Sequence, residues 1–174
     1  MSKHNLIELQ KIVEERIGSL KEEVEIGTNV KLNVLYIADR NDEIRFLQWI
    51  IRVIHSILNR DNDERQHQLG TTKNRLEMID IIEFENMLQE RVEELNLQLK
   101  EDCNNLRESD ILINEIDTLE SVLGRLSDLK YGDKVRAIEI AEANNNYQQA
   151  NRLRKQLIKI QDTESEISAQ IQKN

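Results

Sequence analysis

Not one of the chain's 174 residues is proline, and only five are glycine. Proline breaks helix interiors and glycine weakens them, so this chain lacks most of the interruptions that strand- and turn-rich folds depend on. The apolar residues point the same way. Aromatics make up 3% of the chain, and Ile, Leu and Val supply most of the hydrophobic content, as in helix bundles and coiled coils. These features predict an all-α protein in three parts: a helical N-terminal half (1–70), a long central coiled-coil-like helix (71–131) and a C-terminal helical hairpin (132–174).

The first segment, Ser2 to Ile26, carries Leu6, Leu9, Val13, Ile17, Leu20 and Val24 at spacings of three and four, with Ile7 and Ile12 widening the apolar face. Gly18 marks a weak point, and Ser19 with Glu22 has the form of a capping box. Gly27-Thr28-Asn29 predicts a break. Beyond it, Val30, Leu32 and Val34 alternate like a strand, whereas Val30, Val34 and Ile37 fit a helix. We favour the helix, because a lone β-hairpin needs a third strand and no other segment offers one. Asp42 is placed to cap a further helix. In Ile44 to Leu58 the polar residues Arg45, Gln48, Arg52, His55 and Asn59 fall on one narrow stripe, and the rest of the girth is apolar. A helix of that kind is buried on several sides, Trp49 included. The polar stretch 59–72 reads as a linker.

Stepping by three and four from Met78 gives Met78, Ile81, Leu88, Val92, Leu95, Leu99, Leu106, Ile113, Ile116 and Leu123 as apolar seam positions, with Glu85, Asp102, Ser109 and Glu120 interrupting them. A seam sustained over several heptads favours a coiled coil. The chain either bends in Glu101 to Asn105 or continues as one helix whose seam must be covered by a partner chain or by the terminal segments. We expect the ten apolar residues to mediate self-association, with a homodimer as the state. Tyr131-Gly132-Asp133 reads as a helix boundary. Asn144, Asn145 and Asn146 predict a turn, because asparagine side chains bond to nearby backbone outside helices.

Charge narrows the partners. The 33 acidic residues against 24 basic ones leave a net charge of −9. That disfavours nucleic acid, whose binding draws on clustered Lys and Arg, and anionic membrane surfaces. No long apolar run or leader-like stretch is present, so the expected compartment is the cytoplasm. The chemistry-bearing patterns are sparse. Glu64 and His67 form one Glu-x-x-His pair, where a helix-bundle di-iron site needs two. Cys103 is the single cysteine. No phosphate-binding loop and no nucleophile–base set is evident, so we expect no catalytic residues, no metal and no cofactor, and a protein that is not an enzyme. His55 with Arg52 reads as a solvated stripe. Arg152, Arg154, Lys155 and Lys159 form a local basic cluster, which leaves a regulatory subunit of a nucleic-acid-processing complex as the alternative.

The stretch from Ala141 to Leu157 resembles the UVR motif, a short antiparallel helical hairpin of nucleotide-excision-repair subunits and of some Clp-type unfoldases and their adaptors. Tyr147, Ala150, Leu153 and Arg154 match its pattern; Asn145 and Lys155 depart from it. The resemblance implies a protein-docking hairpin, with Tyr147 and Leu153 closing it and Arg154 contributing to the partner contact. The expectation is a non-enzymatic adaptor or structural subunit that binds other proteins.

Overall fold

The structure, a computed structural model, describes residues 3–31, 33–60, 72–101 and 106–171. They form five helices: α1 (Lys3–Asn29), α2 (Val34–Leu58), α3 (Lys73–Glu101), α4 (Leu106–Ala143) and α5 (Tyr147–Ile171). None of these is long and apolar enough to cross a membrane. The linker expected at 59–72 falls largely outside the described residues, and Glu64, His67, Asp102 and Cys103 lie outside them altogether.

Helix α1 buries Leu6, Leu9, Val13, Ile17 and Leu20, the positions its periodicity selects, but Ile7 is exposed. The helix runs through Gly18 without a break. Ser19 caps nothing, because interior amides are already bound within the helix; its Oγ donates to the Glu15 carbonyl at 3.3 Å. The expected break at Gly27 is also absent: Gly27 is buried inside α1, and the helix ends at Asn29. The turn that follows is made by Lys31, which adopts a left-handed φ of 55° and donates its N–H to the Thr28 carbonyl at 3.3 Å. Asn33 then caps α2 by accepting from the Leu35 N–H at 3.0 Å. Helix α2 therefore starts well before Asp42, which is an interior residue bonded to Arg45 at 3.1 Å.

Antiparallel pairing is fixed by contacts in which one residue number rises as the other falls. Along α1 and α2, Lys3 Nζ donates to the Leu58 carbonyl at 3.1 Å, Arg16 meets Glu43 at 2.9 Å, and the Tyr36 hydroxyl donates to Glu23 at 3.1 Å. Along α3 and α4, Lys130 meets Glu85 at 2.7 Å and Arg91 meets Glu115 at 3.5 Å. Asn5 Nδ2, donating to the Leu129 carbonyl at 3.4 Å, sets α1 antiparallel to α4. The result is an up-down-up-down bundle of α1 to α4. One core joins its helices, with Leu9 and Leu20 meeting Ile50 and Ile54 of α2, Phe84 and Leu88 of α3, and Leu119 and Leu126 of α4. The expected units 1–70 and 71–131 thus share one hydrophobic interior.

Two helices occupy the central region in place of one long one. The seam is folded on itself, its first half on α3 and its second on α4. The boundary expected at Tyr131-Gly132-Asp133 is missing, and α4 passes straight through it. A helical glycine costs only about 1 kcal/mol relative to alanine, too little to end a helix that packs on both sides of it. Helix α4, with 38 residues, is on the order of 57 Å long. Its distal part packs against α5 through Ile138, Ala141 and Ala150, with Leu153 and Leu157 alongside.

The turn between α4 and α5 falls on the three asparagines. Asn145 is left-handed at φ 56°, and its N–H donates to Glu142 O at 2.8 Å while the Asn146 N–H donates to Ala141 O at 2.8 Å. This is a Schellman ending. Asn146 then caps α5: its Oδ1 accepts from the Gln149 N–H at 3.2 Å, and its Nδ2 donates to Gln149 Oε1 at 2.9 Å. Asn145 and Asn146 thus have separate geometric tasks.

Candidate functional site

The surface is sorted by chemistry. Among the described residues of the four-helix bundle, the exposed large apolar side chains gather at one end, where α1 and α3 finish and α2 and α4 start. The first hairpin contributes Ile26, Val30, Val34 and Leu35. The second contributes Leu97, Leu106 and Ile113, within two turns of the same end. Other large apolar side chains are exposed singly: Ile7 and Met87 along the bundle, and Val135, Ile140, Tyr147 and Ile158 on the C-terminal hairpin. Val34 is 78% exposed and Leu106 is 87% exposed, values ordinary for lysine and unusual for clustered aliphatic residues. The tip is apolar because of what flanks the turn: Val30 precedes Lys31 and Val34 follows Asn33, so the described residues that shape the turn are polar and those beside them are not.

Below this end, α1 and α2 are clamped by four alternating charges. Arg16 lies 2.9 Å from Glu43 and 3.5 Å from Glu23, and Arg40 lies 2.8 Å from Glu43 and 3.3 Å from Glu23. The Arg40 guanidinium also sits 4.9 Å from the Tyr36 ring centroid. These arginines border a cleft of about 460 Å³ between α1, α2 and α4, floored by Leu9, Val13 and Leu47. Its walls carry Asp117, Thr118 and Arg125, but no histidine or cysteine.

A cluster of buried charges lies elsewhere, where α5 folds back on the bundle. The Lys130 side chain, 3% exposed, puts Nζ 2.7 Å from both oxygens of Glu85 on α3 and 3.0 Å from Glu164 on α5. Tyr131 donates its hydroxyl to Glu164 as well, and its ring centroid lies 5.0 Å from the Lys130 ammonium. Burial pushes the Glu85 carboxyl above the usual glutamate range despite the lysine beside it. Burial pulls the Lys130 ammonium down, but the hydrogen bond and charge of Glu85, with those of Glu164, outweigh it and leave the lysine above its ordinary value. Burial, then the bond to Glu164, pushes the Tyr131 phenol up to about 12. The four groups are bonded across three helices and act as a clasp. A second buried charge, Asp80 on α3, stands 3.5 Å from Arg60 and 4.0 Å from Lys3. Among the described residues no group of three or more His, Cys, Asp and Glu side chains is arranged to hold a metal ion.

The residues singled out from sequence separate into three groups. Ile81, Leu88, Leu95 and Ile116 are buried inside the single chain. Val92, Leu99 and Leu123 are half-buried against the same core, and Met78 lines a groove between α3, α4 and α5. Only Leu106 and Ile113 are exposed. The seam is thus largely consumed by the fold of one chain, because α3 and α4 turn its two halves toward α1 and α2. In the C-terminal hairpin Tyr147 is exposed, Leu153 packs inside, and Arg154 is paired with Glu142. His55 and Arg52 face solvent with Arg45 and Asn59 of their stripe, Gln48 is half-buried, and Trp49 is half-buried, stacked on Phe46 at 5.4 Å between ring centroids.

The clasp escaped the sequence reading, although Glu85 was its signal: a carboxylate in an apolar repeat position calls for a buried cation. The apolar end escaped because its residues are split between two hairpins. Comparison with known proteins yields no match, whether to a family model, a curated protein or a solved structure.

Proposed function

We propose that the chain is a non-enzymatic protein-interaction module, an adaptor or structural subunit that docks through the apolar end of its bundle. The observation that supports this reading is the exposure of Val30, Val34, Leu35 and Leu106 together at one end of the bundle. Water-exposed aliphatic groups are stabilised by burial at about 25 cal/mol per Å², so a patch of this kind favours a covering surface. The reading places recognition on the end of the bundle, since the residues of the central seam already cover one another. The polar stripe of α2 and the paired arginines of the cleft are accounted for by solvation and by packing.

A photo-crosslinking amino acid at position 34, incorporated in the native cell, tests this. The expected result is a discrete protein adduct that disappears when the crosslinker is moved to the solvent-facing position 52. The absence of any protein adduct at 34 would overturn the reading.

A further inference from the structure

We propose that the last part of α5, residues 160–171, is a releasable strap, held across α3 and α4 by a lysine it shares with the bundle and able to leave while the bundle and the asparagine turn stay folded. The strap acts independently of the apolar end.

Apolar support along α5 is uneven. Its first half packs into the hairpin, where Ala150, Leu153 and Leu157 meet Ile138 and Ala141 of α4. Among the described residues, the core that joins α1 to α4 takes no side chain from α5. In the last part of the helix only Glu164 and Ile167 are buried. The other ties are polar: Asn86 of α3 donates to the Ser168 hydroxyl at 3.3 Å, and Arg75 of α3 donates to Gln170 at 3.4 Å. Hydrogen bonds of this kind are replaced by water at little net cost, so the last part of α5 is held less firmly than the first.

Charge at the strap is unbalanced as well. Lys130 Nζ lies 2.7 Å from both oxygens of Glu85 and 3.0 Å from Glu164. Glu85 and Lys130 belong to α3 and α4, so the bundle keeps a complete ion pair without α5. Docking adds a second carboxylate to an ammonium that is already bonded. Burial raises the Glu85 carboxyl above the usual glutamate range, and the charge of Glu164 adds to that.

Glu164 itself is not fully satisfied. The residue is 8% exposed, and its Oε2 takes both Lys130 and Tyr131. Its Oε1 is buried with no hydrogen-bond partner among the described residues. Such an oxygen is desolvated without compensation, and release returns it to water. Undocking therefore gives up the burial of Ile167 and the bonds of Glu164, but it rehydrates one carboxylate and relieves another. Docked and released states lie close in free energy. Release uncovers Met78 and Leu129, which line one groove with Ile160 and Ile167.

Native-state hydrogen exchange of the full chain, read amide by amide, tests this. A detached segment this short is marginal as a helix in water, so release appears as exchange of its amides. The expected result is exchange at residues 164–171 about 100-fold or more faster than at Phe84, Leu88, Leu119 and Leu126 of the core. Glu85→Gln, which leaves Lys130 to Glu164 alone, slows the strap by about tenfold. Ile167→Ser speeds it by roughly 30-fold or more and leaves the core amides and those of residues 150–157 unchanged. Strap amides as slow as the core, or core amides that speed up together with the strap in Ile167→Ser, overturn the proposal. So does a strap that Glu85→Gln speeds or leaves unmoved, since simple fraying of a helix end does not respond to a side chain on α3.

Discussion

Lys130 on α4 holds its ammonium 2.7 Å from both carboxylate oxygens of Glu85 on α3, in a position only 3% exposed. The two residues are not equivalent in what their loss does. Lys130→Met leaves Glu85 and Glu164 facing each other without a cation, and breaking a buried pair in this way costs about 3–5 kcal/mol. Glu85→Gln leaves Lys130 with Glu164 and removes a carboxylate whose charged form the fold already disfavours, so its cost is expected below about 1 kcal/mol. Urea denaturation of the two variants checks the asymmetry; equal losses would mean that the clasp is not organised around the lysine.

The same clasp sets an alkaline limit. Tyr131 and Lys130 both bind their protons more tightly in the folded chain than in the unfolded one. Their contribution is therefore complete below the unfolded values, 10.0 for tyrosine and 10.5 for lysine, and is lost as pH climbs through the raised folded values. For Tyr131 that window runs from about 10 to about 12. Tyrosinate absorbance should show one of the three tyrosines titrating late, and Tyr131→Phe should remove that step and flatten the fall in stability across the window.

Leu95 distinguishes core from interface. It is fully buried in the single chain, so Leu95→Glu is expected to unfold the protein, at more than about 4 kcal/mol, in preference to dissociating an oligomer. Leu97→Ala, two residues away and exposed, should change the unfolding free energy from urea denaturation by no more than about 0.5 kcal/mol.

Lys31 adopts φ 55° without glycine's freedom or asparagine's local hydrogen bonding. Lys31→Gly is expected to stabilise the chain by about 1 kcal/mol, the low end of the left-handed penalty for an ordinary residue. Asn145→Ala should destabilise by a similar amount, because alanine at φ 56° loses that tolerance. Thermal unfolding of both variants reads the two signs.

How much of this was legible follows from range. Local periodicity selected Leu6, Leu9, Val13, Ile17 and Leu20, and all five are core. The asparagine turn was legible for the same reason, since capping and left-handed geometry are decided within a few residues. Gly18, Gly27 and Gly132 misled because each costs a helix only about 1 kcal/mol, which packing outweighs without leaving a mark nearby. The seam from Met78 to Leu123 was legible as apolar, but its partner was not: a heptad pattern satisfied by α1 and α2 of one chain has the same sequence as one satisfied by a second chain. The clasp and the apolar end depend on residues such as Glu85 and Glu164, or Val34 and Leu106, whose proximity only the tertiary fold creates.

Because α4 runs unbroken through Gly132, one rod belongs to both the bundle and the C-terminal hairpin. Orientation along it is then geared. Inserting one residue after Asp133 would advance the hairpin by about 1.5 Å and turn it by about 100°, swinging Glu164 away from Lys130, whereas inserting a full seven-residue heptad would nearly restore the phase while displacing the tip by roughly 10 Å. Lengths differing by whole heptads would nearly preserve the angle between the two ends of this rod, and all other lengths would reset it.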